Sequence, residues 1–202
     1  MMNIEIYKLG KDMAEEYISY FDNRAFSDGS IQKGCYCVWH HWTKKHEDER
    51  SLMPENERLY CKRDYAKELI QNGILNGFVA LYEGKIVGFC NADMKDNYFR
   101  LSRENDSNSW NGTNENDKIL SIVCFTVAPD MRRKGIAKAL LDYACRYAAA
   151  SGYDYVEGYP PFGEFTINDC GGSVSMYVNQ GFEIIDIPNG LIARKALKAN
   201  RL

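Results

Sequence analysis

Two clusters of residues in this 202-residue chain have types and spacings that could do chemistry. The first is Arg132-Arg133-Lys134-Gly135-Ile136-Ala137, which comes after the apolar, β-branched run from Ile119 to Ala128 and then Pro129. A strand that ends at a proline, a basic glycine-containing turn and a helix behind it leave backbone N–H groups unpaired at the helix start. With the positive end of the helix dipole these groups can hold a phosphate, and the strand beside them can hold the tail of a phosphate-bearing ligand. The second cluster is Cys35, Cys37, His40, His41 and His46, which contains every histidine of the chain. Two thiolates and two imidazoles could make a tetrahedral zinc site. The Cys-x-Cys spacing is tighter than in zinc fingers and no second cysteine pair comes after it. The expectation is therefore no metal and a partly buried aromatic loop.

The elements that must position these clusters are set by periodicity and punctuation. Residues 2–9 alternate as a first strand, and residues 11–21 carry Met13, Ala14, Tyr17, Ile18 and Phe21 on one helical face. A charged stretch runs from Lys44 to Arg50, and residues 58–72 read as a second helix ending at Asn72-Gly73. Gly77 to Tyr82 and Lys85 to Cys90 are strands joined at Glu83-Gly84. The polar stretch from Asp96 to Asp117 is expected to be a solvated surface loop. Beyond the basic turn, Ile136, Leu140, Ala144, Tyr147 and Ala148 form the apolar stripe of a helix that ends at Ser151-Gly152. Tyr153 to Pro160 comes after a strand and a crossover helix, so it should lie parallel to residues 119–128. A short helix from Ser173 to Gln180 and a hairpin of Phe182 to Ile187 and Gly190 to Leu197 close the chain. This order predicts a single α/β domain over residues 1–202, with a mixed sheet and one parallel βαβ unit at its centre.

With these elements in place, the residues resemble a family. Arg132 to Ala137 is similar to the (Gln/Arg)-x-x-Gly-x-(Gly/Ala) signature of the GNAT superfamily of acyl-CoA-dependent N-acyltransferases. Ser175-Met176-Tyr177-Val178-Asn179-Gln180-Gly181-Phe182 is similar to its second signature, an apolar residue and Tyr followed by x-x-x-Gly-Phe. The resemblance covers residues 75–197 well and the N-terminal part by topology. It implies a sheet that splays at a central parallel strand pair, with residues 1–75 mainly on the acceptor side and 76–202 forming the acyl-CoA core. It implies that Arg132, Arg133, Lys134, Gly135, Ile136 and Ala137, with Lys138, grip the pyrophosphate of acetyl-CoA, the cosubstrate. The pantetheine arm would pair like an added strand with the backbone of Phe125, Thr126 and Val127. The acetyl group would pass directly to a primary amine, small-molecule or peptide, with the Val127 N–H on the oxyanion. By its motif position Tyr177 would protonate the departing thiolate; a phenol with a pKa of about 10 can serve a thiol with a pKa near 8.5. The segment between the first two helices would line the acceptor pocket, with Trp39 and His40 contributing a wall and a titratable group, and Trp42 beside them.

Two positions depart from the family pattern. Many relatives carry a Glu as general base six residues before the position of Val127; here it is Ser121. An Asn seven residues before the motif tyrosine is replaced by Cys170, with Asn168 two residues earlier. The base is thus unassigned, and Glu157 and Asp93 are the carboxylates on or at the end of flanking strands. Cys124 should point opposite to Phe125 and pack as a core thiol. The missing Glu supports a second reading, a coenzyme A-binding sensor or regulatory module without turnover. A zinc-stabilised interaction domain is the third.

Whole-chain properties bound the partners. A net charge of −3 gives no reason to expect nucleic acid. No export signal or long apolar stretch is seen, so no membrane partner and a cytoplasmic protein are expected, with the seven cysteines read as reduced thiols and the Asn111-Gly112-Thr113 sequon as meaningless. The last hairpin offers an edge for a possible homodimer.

Overall fold

Runs of β-branched and aromatic residues become strands where glycine or polar turns bound them. The computed structural model describes residues 2–58, 60–163, 166 and 169–197. Among these residues seven strands form one sheet in the order β1-β2-β3-β4-β5-β7-β6. They are β1 (Glu5–Lys8), β2 (Gly77–Tyr82), β3 (Lys85–Met94), β4 (Ile119–Val127), β5 (Tyr155–Gly158), β6 (Glu183–Ile187) and β7 (Gly190–Ala196). The β4–β5 pair is parallel and its flanking pairs are antiparallel, as the crossover predicts. The helices are α1 (Ala14–Asn23), α2 (Lys44–Leu52), α3 (Glu55–Arg58), α4 (Cys61–Asn72), α5 (Ile136–Ala150) and α6 (Val174–Val178).

Each sheet face is covered by an apolar helix stripe. Tyr17, Ile18 and Phe21 of α1 are buried against β3, where the Tyr17 and Phe89 rings meet edge to face at 5.0 Å. On the other face α5 buries Ile136, Leu140, Leu141, Ala144 and Ala148, and Phe78 of β2 touches Tyr143 and Tyr147. Local chemistry sets the turns: Glu83 and Gly84 are both left-handed, with φ of 51° and 71°, as a two-residue hairpin requires.

One stretch that the sequence leaves unassigned gains a structure, and two expectations need correction. The charged stretch is a helix, α2, because Thr43 and His46 cap its start: the Thr43 N–H donates to His46 Nδ1 at 3.1 Å. The second helix is divided into α3 and α4. The stretch 96–117 is no solvated excursion: Tyr98, Leu101 and Trp110 are buried, and Trp110 Nε1 donates to the Leu101 carbonyl at 2.7 Å. Its Asn, Ser and Asp residues make short turns, while sparse apolar anchors fix it to the sheet. A polar composition hides anchors spaced that widely.

Two irregularities in β4 shape the middle of the sheet. Asn91 opposes Cys124 and Ala92 opposes Ile122, so Val123 is a bulge, and Ser121 and Cys124 face the same side although three residues apart. Pairing with β5 ends at Ile122–Gly158, while β4 runs on to Val127. The sheet splays from that point.

Candidate active site

The open stretch of β4 is where backbone groups are left over. The Ala128 N–H donates to the Val87 carbonyl at 3.0 Å, which makes Gly88–Val127 a pair without mutual hydrogen bonds. The N–H and C=O of Phe125 and Val127 therefore point away from β3, into the gap left by β5. Two of these groups are occupied. The Phe125 N–H donates to the Cys170 carbonyl at 2.6 Å, and the Val127 carbonyl accepts from Arg132 Nε at 3.1 Å.

Below the gap the chain turns into α5. Arg133 (φ 61°) and Gly135 (φ 82°) are both left-handed, which curls the turn and makes Gly135 the N-cap. No side chain caps α5 and no acidic residue stands in its first turn. The first N–H groups of a 15-residue helix and the positive end of its dipole are thus left open to an anion. Among the described residues neither Arg133 nor Lys138 has an ion-pair partner, and both line the same cavity. Arg132 is differently placed: its Nη1 holds Asp28 at 2.5 Å, while Arg24 holds Asp130 at 3.0 Å, tying the segment after α1 to the turn. The Arg132 guanidinium holds the Asp28 carboxyl below its ordinary range.

The cavity between these groups measures about 580 Å³. Phe125, Thr126, Val127, Arg132, Arg133, Gly135, Ile136, Ala137 and Lys138 all line it, so nine of the ten residues expected at the donor site come together. Lys134 does not; its Nζ lies 3.7 Å from the Met131 sulfur. Residues that sequence reasoning missed complete the wall, chiefly Phe26 and Gln32 from the acceptor side and Met176 of α6, beside Cys170 at the family's Asn position. Only a three-dimensional contact could have found Phe26 and Gln32. Asn168 lies outside the described residues.

A cavity with a strand edge on one wall and an anion-ready helix start at its foot fits a phosphate-bearing ligand with an amide-rich tail. Residues 35–159 match the acetyltransferase (GNAT) family, more than half of the chain. The chain belongs to that family. It is an acetyltransferase with acetyl-CoA as cosubstrate, and the cradle at the start of α5 suits that donor. No curated protein matches the chain. Among solved structures, the fold is similar to that of the PaiA N-acetyltransferase from Thermoplasma acidophilum, crystallised with coenzyme A (18% identity, 96% of this chain and 99% of that one, TM-score 0.53). It is equally similar to an N-acetyltransferase from Staphylococcus aureus Mu50 (16%, 97% and 99%, 0.53). A Drosophila melanogaster polyamine N-acetyltransferase that forms N-acetylagmatine is another (14%, 95% and 98%, 0.53).

The GNAT family match ends before Tyr177, whose surroundings the structure supplies. Tyr177 is fully buried, its ring 6.5 Å from that of Phe125, and its hydroxyl donates to the Gly171 carbonyl at 2.8 Å. Burial pushes its pKa well above the ordinary phenol value. Gly158 lacks a side chain because a Cβ there would collide with the Tyr177 ring. The tyrosine is therefore seated where the β4–β5 gap opens.

Both candidate carboxylates are already engaged, Glu157 by two cations and Asp93 by two neutral donors. Glu157 is fully buried between Lys95 Nζ at 2.5 Å and Arg194 Nε at 2.6 Å. Ser121 faces Tyr159 Oη at 2.9 Å, and that hydroxyl donates to Glu157 at 3.1 Å. Asp93 accepts from Asn76 Nδ2 at 2.9 Å and from the Met94 N–H at 2.7 Å.

Trp39 and His40 lie outside the donor cavity lining. Trp39 is half exposed, with the Arg100 guanidinium 3.9 Å from its ring centre. His40 and His41 flank Tyr98, and each has a buried ring nitrogen without a protein partner, Nδ1 of His40 and Nε2 of His41. Burial lowers both pKa values to about 4, so both rings are neutral at pH 7. Trp42 is buried and stacked on His46. His46 is the helix cap and Cys37 meets Cys124, so the Cys and His residues do not converge; among the described residues no group of three could hold a metal. Among them, too, no helix is long and apolar enough to cross a membrane.

Proposed function

We propose that this acetyltransferase moves the acetyl group of acetyl-CoA to a primary amine by direct attack. The observation that carries the reading is the open half of β4 beside the uncapped start of α5, both facing one cavity. In this reading the N–H groups from Arg132 to Lys138, with the Arg133 and Lys138 side chains, bind the pyrophosphate; Lys134 contributes backbone only. Phe125 and Val127 pair with the pantetheine amides, Thr126 lines the wall with its backbone bonded to Phe89 of β3, and the Val127 N–H receives the oxyanion. The Cys170 contact to Phe125 gives way as the arm enters. Tyr177 exchanges the Gly171 carbonyl for the leaving sulfur, a donor raised in pKa yet dry and pre-aimed. Trp39 and His40 form the acceptor wall, where the neutral His40 ring can accept a hydrogen bond from the amine.

The amine must reach the thioester uncharged, and Glu157 and Asp93, the carboxylates of the flanking strands, are both engaged with other groups. The reading is therefore that the proton leaves through water. Agmatine and polyamines head the acceptor panel because a structural relative is named for them and because the chain is acidic overall. The test is thiol release from acetyl-CoA across that panel. Tyr177→Phe should lower kcat about 100-fold with little change in coenzyme A affinity; an unchanged kcat removes Tyr177 from the mechanism. The second reading, a coenzyme A-binding module without turnover, is favoured by Ser121 and by the ion-paired Glu157. Tight coenzyme A binding with no thiol release on the whole panel would establish it.

A further inference from the structure

Three cysteines far apart in the chain meet beside the donor cavity, and acetyl transfer uses none of their thiols. Cys37 lies between α1 and α2, Cys124 is in β4, and Cys170 is in the loop after β5. Cys37 Sγ is 3.0 Å from Cys124 Sγ, across 87 positions of sequence. Thr126 Oγ1 is 3.5 Å from the first sulfur and 3.7 Å from the second. Cys170, whose carbonyl accepts from the Phe125 N–H next to Cys124 and whose thiol interacts electrostatically with that of Cys124, alone of the three lines the cavity.

The placement of Cys37 is held at a cost. Tyr36 and Cys37 are consecutive non-glycine residues in the left-handed region, with φ of 48° and 51°. The Tyr36 carbonyl is held by Tyr17 Oη at 3.0 Å and the Cys37 carbonyl by Asn91 Nδ2 at 2.9 Å. Both anchors are buried, so the strained turn keeps the sulfur against β4. A disulfide has sulfurs about 2.05 Å apart, so roughly 1 Å of movement separates this pair from a bond.

We propose that Cys37 and Cys124 form an oxidation site, which a hydroperoxide entering the donor cavity converts to a disulfide. Cys170, at the cavity wall, is the entry point. Its thiol takes one oxygen from the hydroperoxide to give a sulfenic acid, releasing the alcohol or, from hydrogen peroxide, water. The Cys124 thiol attacks that sulfur, expelling water and forming a Cys124–Cys170 disulfide. The Cys37 thiol then attacks Cys124 and releases Cys170 as a thiol. In sum, two thiols and one hydroperoxide yield one disulfide, one alcohol and one water. All three thiols are raised in pKa, Cys37 by burial, Cys124 by its contact with Cys37 and then burial, and Cys170 by its interaction with Cys124 and then burial. Attack on peroxide is therefore slow at each, and the relay starts at Cys170 because it alone of the three lines the cavity. The bridge staples the acceptor-side segment to the donor strand.

The test is peptide mapping of reduced, full-length protein treated with hydrogen peroxide, then denatured and blocked with an alkylating agent. The expected product is a Cys37–Cys124 linked peptide pair, with Tm raised by about 5–10 °C by closure of a long loop and restored by reductant. Recovery of Cys37 and Cys124 as alkylated thiols while other residues are oxidised would overturn the proposal. Cys170→Ser should slow bridge formation about tenfold; a wild-type rate overturns the relay. Cys37→Ser should show no rise in Tm on oxidation, and a rise there assigns the effect to another bridge and overturns this one.

Discussion

The two halves of β4 are built from the same kind of residue and do opposite things. From Ile119 to Ile122 the strand is paired on both sides, to β3 and to β5. The polar groups facing this half, Ser121, Tyr159, Glu157, Lys95 and Arg194, bond one another in a buried network that leaves Arg194 Nη2 without a partner among the described residues. From Val123 to Val127 pairing continues on one side only, and the backbone groups of Phe125 and Val127 face a cavity. The closed half consumes most of its own polarity and holds the sheet together. The open half exports its hydrogen bonds, which is what a ligand needs. The difference lies in where β5 ends, since the strand's composition hardly changes.

Breaking the closed half should cost stability most. Glu157→Ala leaves Lys95 and Arg194 buried without their carboxylate, and a loss of about 3–5 kcal/mol is expected in denaturant unfolding. A loss under about 1 kcal/mol would mean the network is slack. Breaking the open half should cost rate instead. Val127→Pro removes an N–H that makes no bond to β3, so the fold should persist by circular dichroism while kcat falls about 100-fold or more. Retained turnover would show that the oxyanion is held elsewhere.

Acid separates the halves further. The His40 and His41 pKa values are about 4 when folded against 6.5 unfolded. The neutral rings contribute stability that is whole above pH 6.5 and is lost as pH falls toward about 4, where the unfolded chain binds the extra protons. Unfolding at pH 5.5 should be easier than at pH 7 by about 2 kcal/mol. Coenzyme A affinity should barely change over the same interval, because neither His40 nor His41 lines the donor cavity. The smallest effect is expected from the Arg133 and Lys138 side chains. Arg133→Ala or Lys138→Ala should weaken coenzyme A binding roughly fivefold each by calorimetry, and less at high salt. A larger loss would shift the main grip from the helix N–H groups to the side chains.

Much of the fold and of the donor site is legible in residue order. Gly135 sits where the turn needs φ of 82°, and the apolar stripe from Ile136 to Ala148 orients α5 against the sheet. Thr43 and His46 show why α2 is hidden: a cap signal three residues apart is faint beside an all-charged surface helix. Lys95 shows why 96–117 reads as solvated, since a buried lysine is legible only through Glu157, 62 positions later. Trp39 and His40 are the residues that motif order suggests for a pocket, yet Phe26 and Gln32 are the acceptor-side residues that reach the donor cavity.

The sequence by itself determined the elements, the parallel βαβ centre and the anion-ready turn, because periodicity, punctuation and a motif are local and each residue reports on its neighbours. The tertiary structure alone decided which groups are spent and which remain. It tied up Glu157, turned the Tyr177 hydroxyl onto Gly171, brought Cys37 to Cys124 and left the edge of Val127 open. Burial and hydrogen-bond saturation depend on contacts between residues distant in sequence, and no local pattern encodes them.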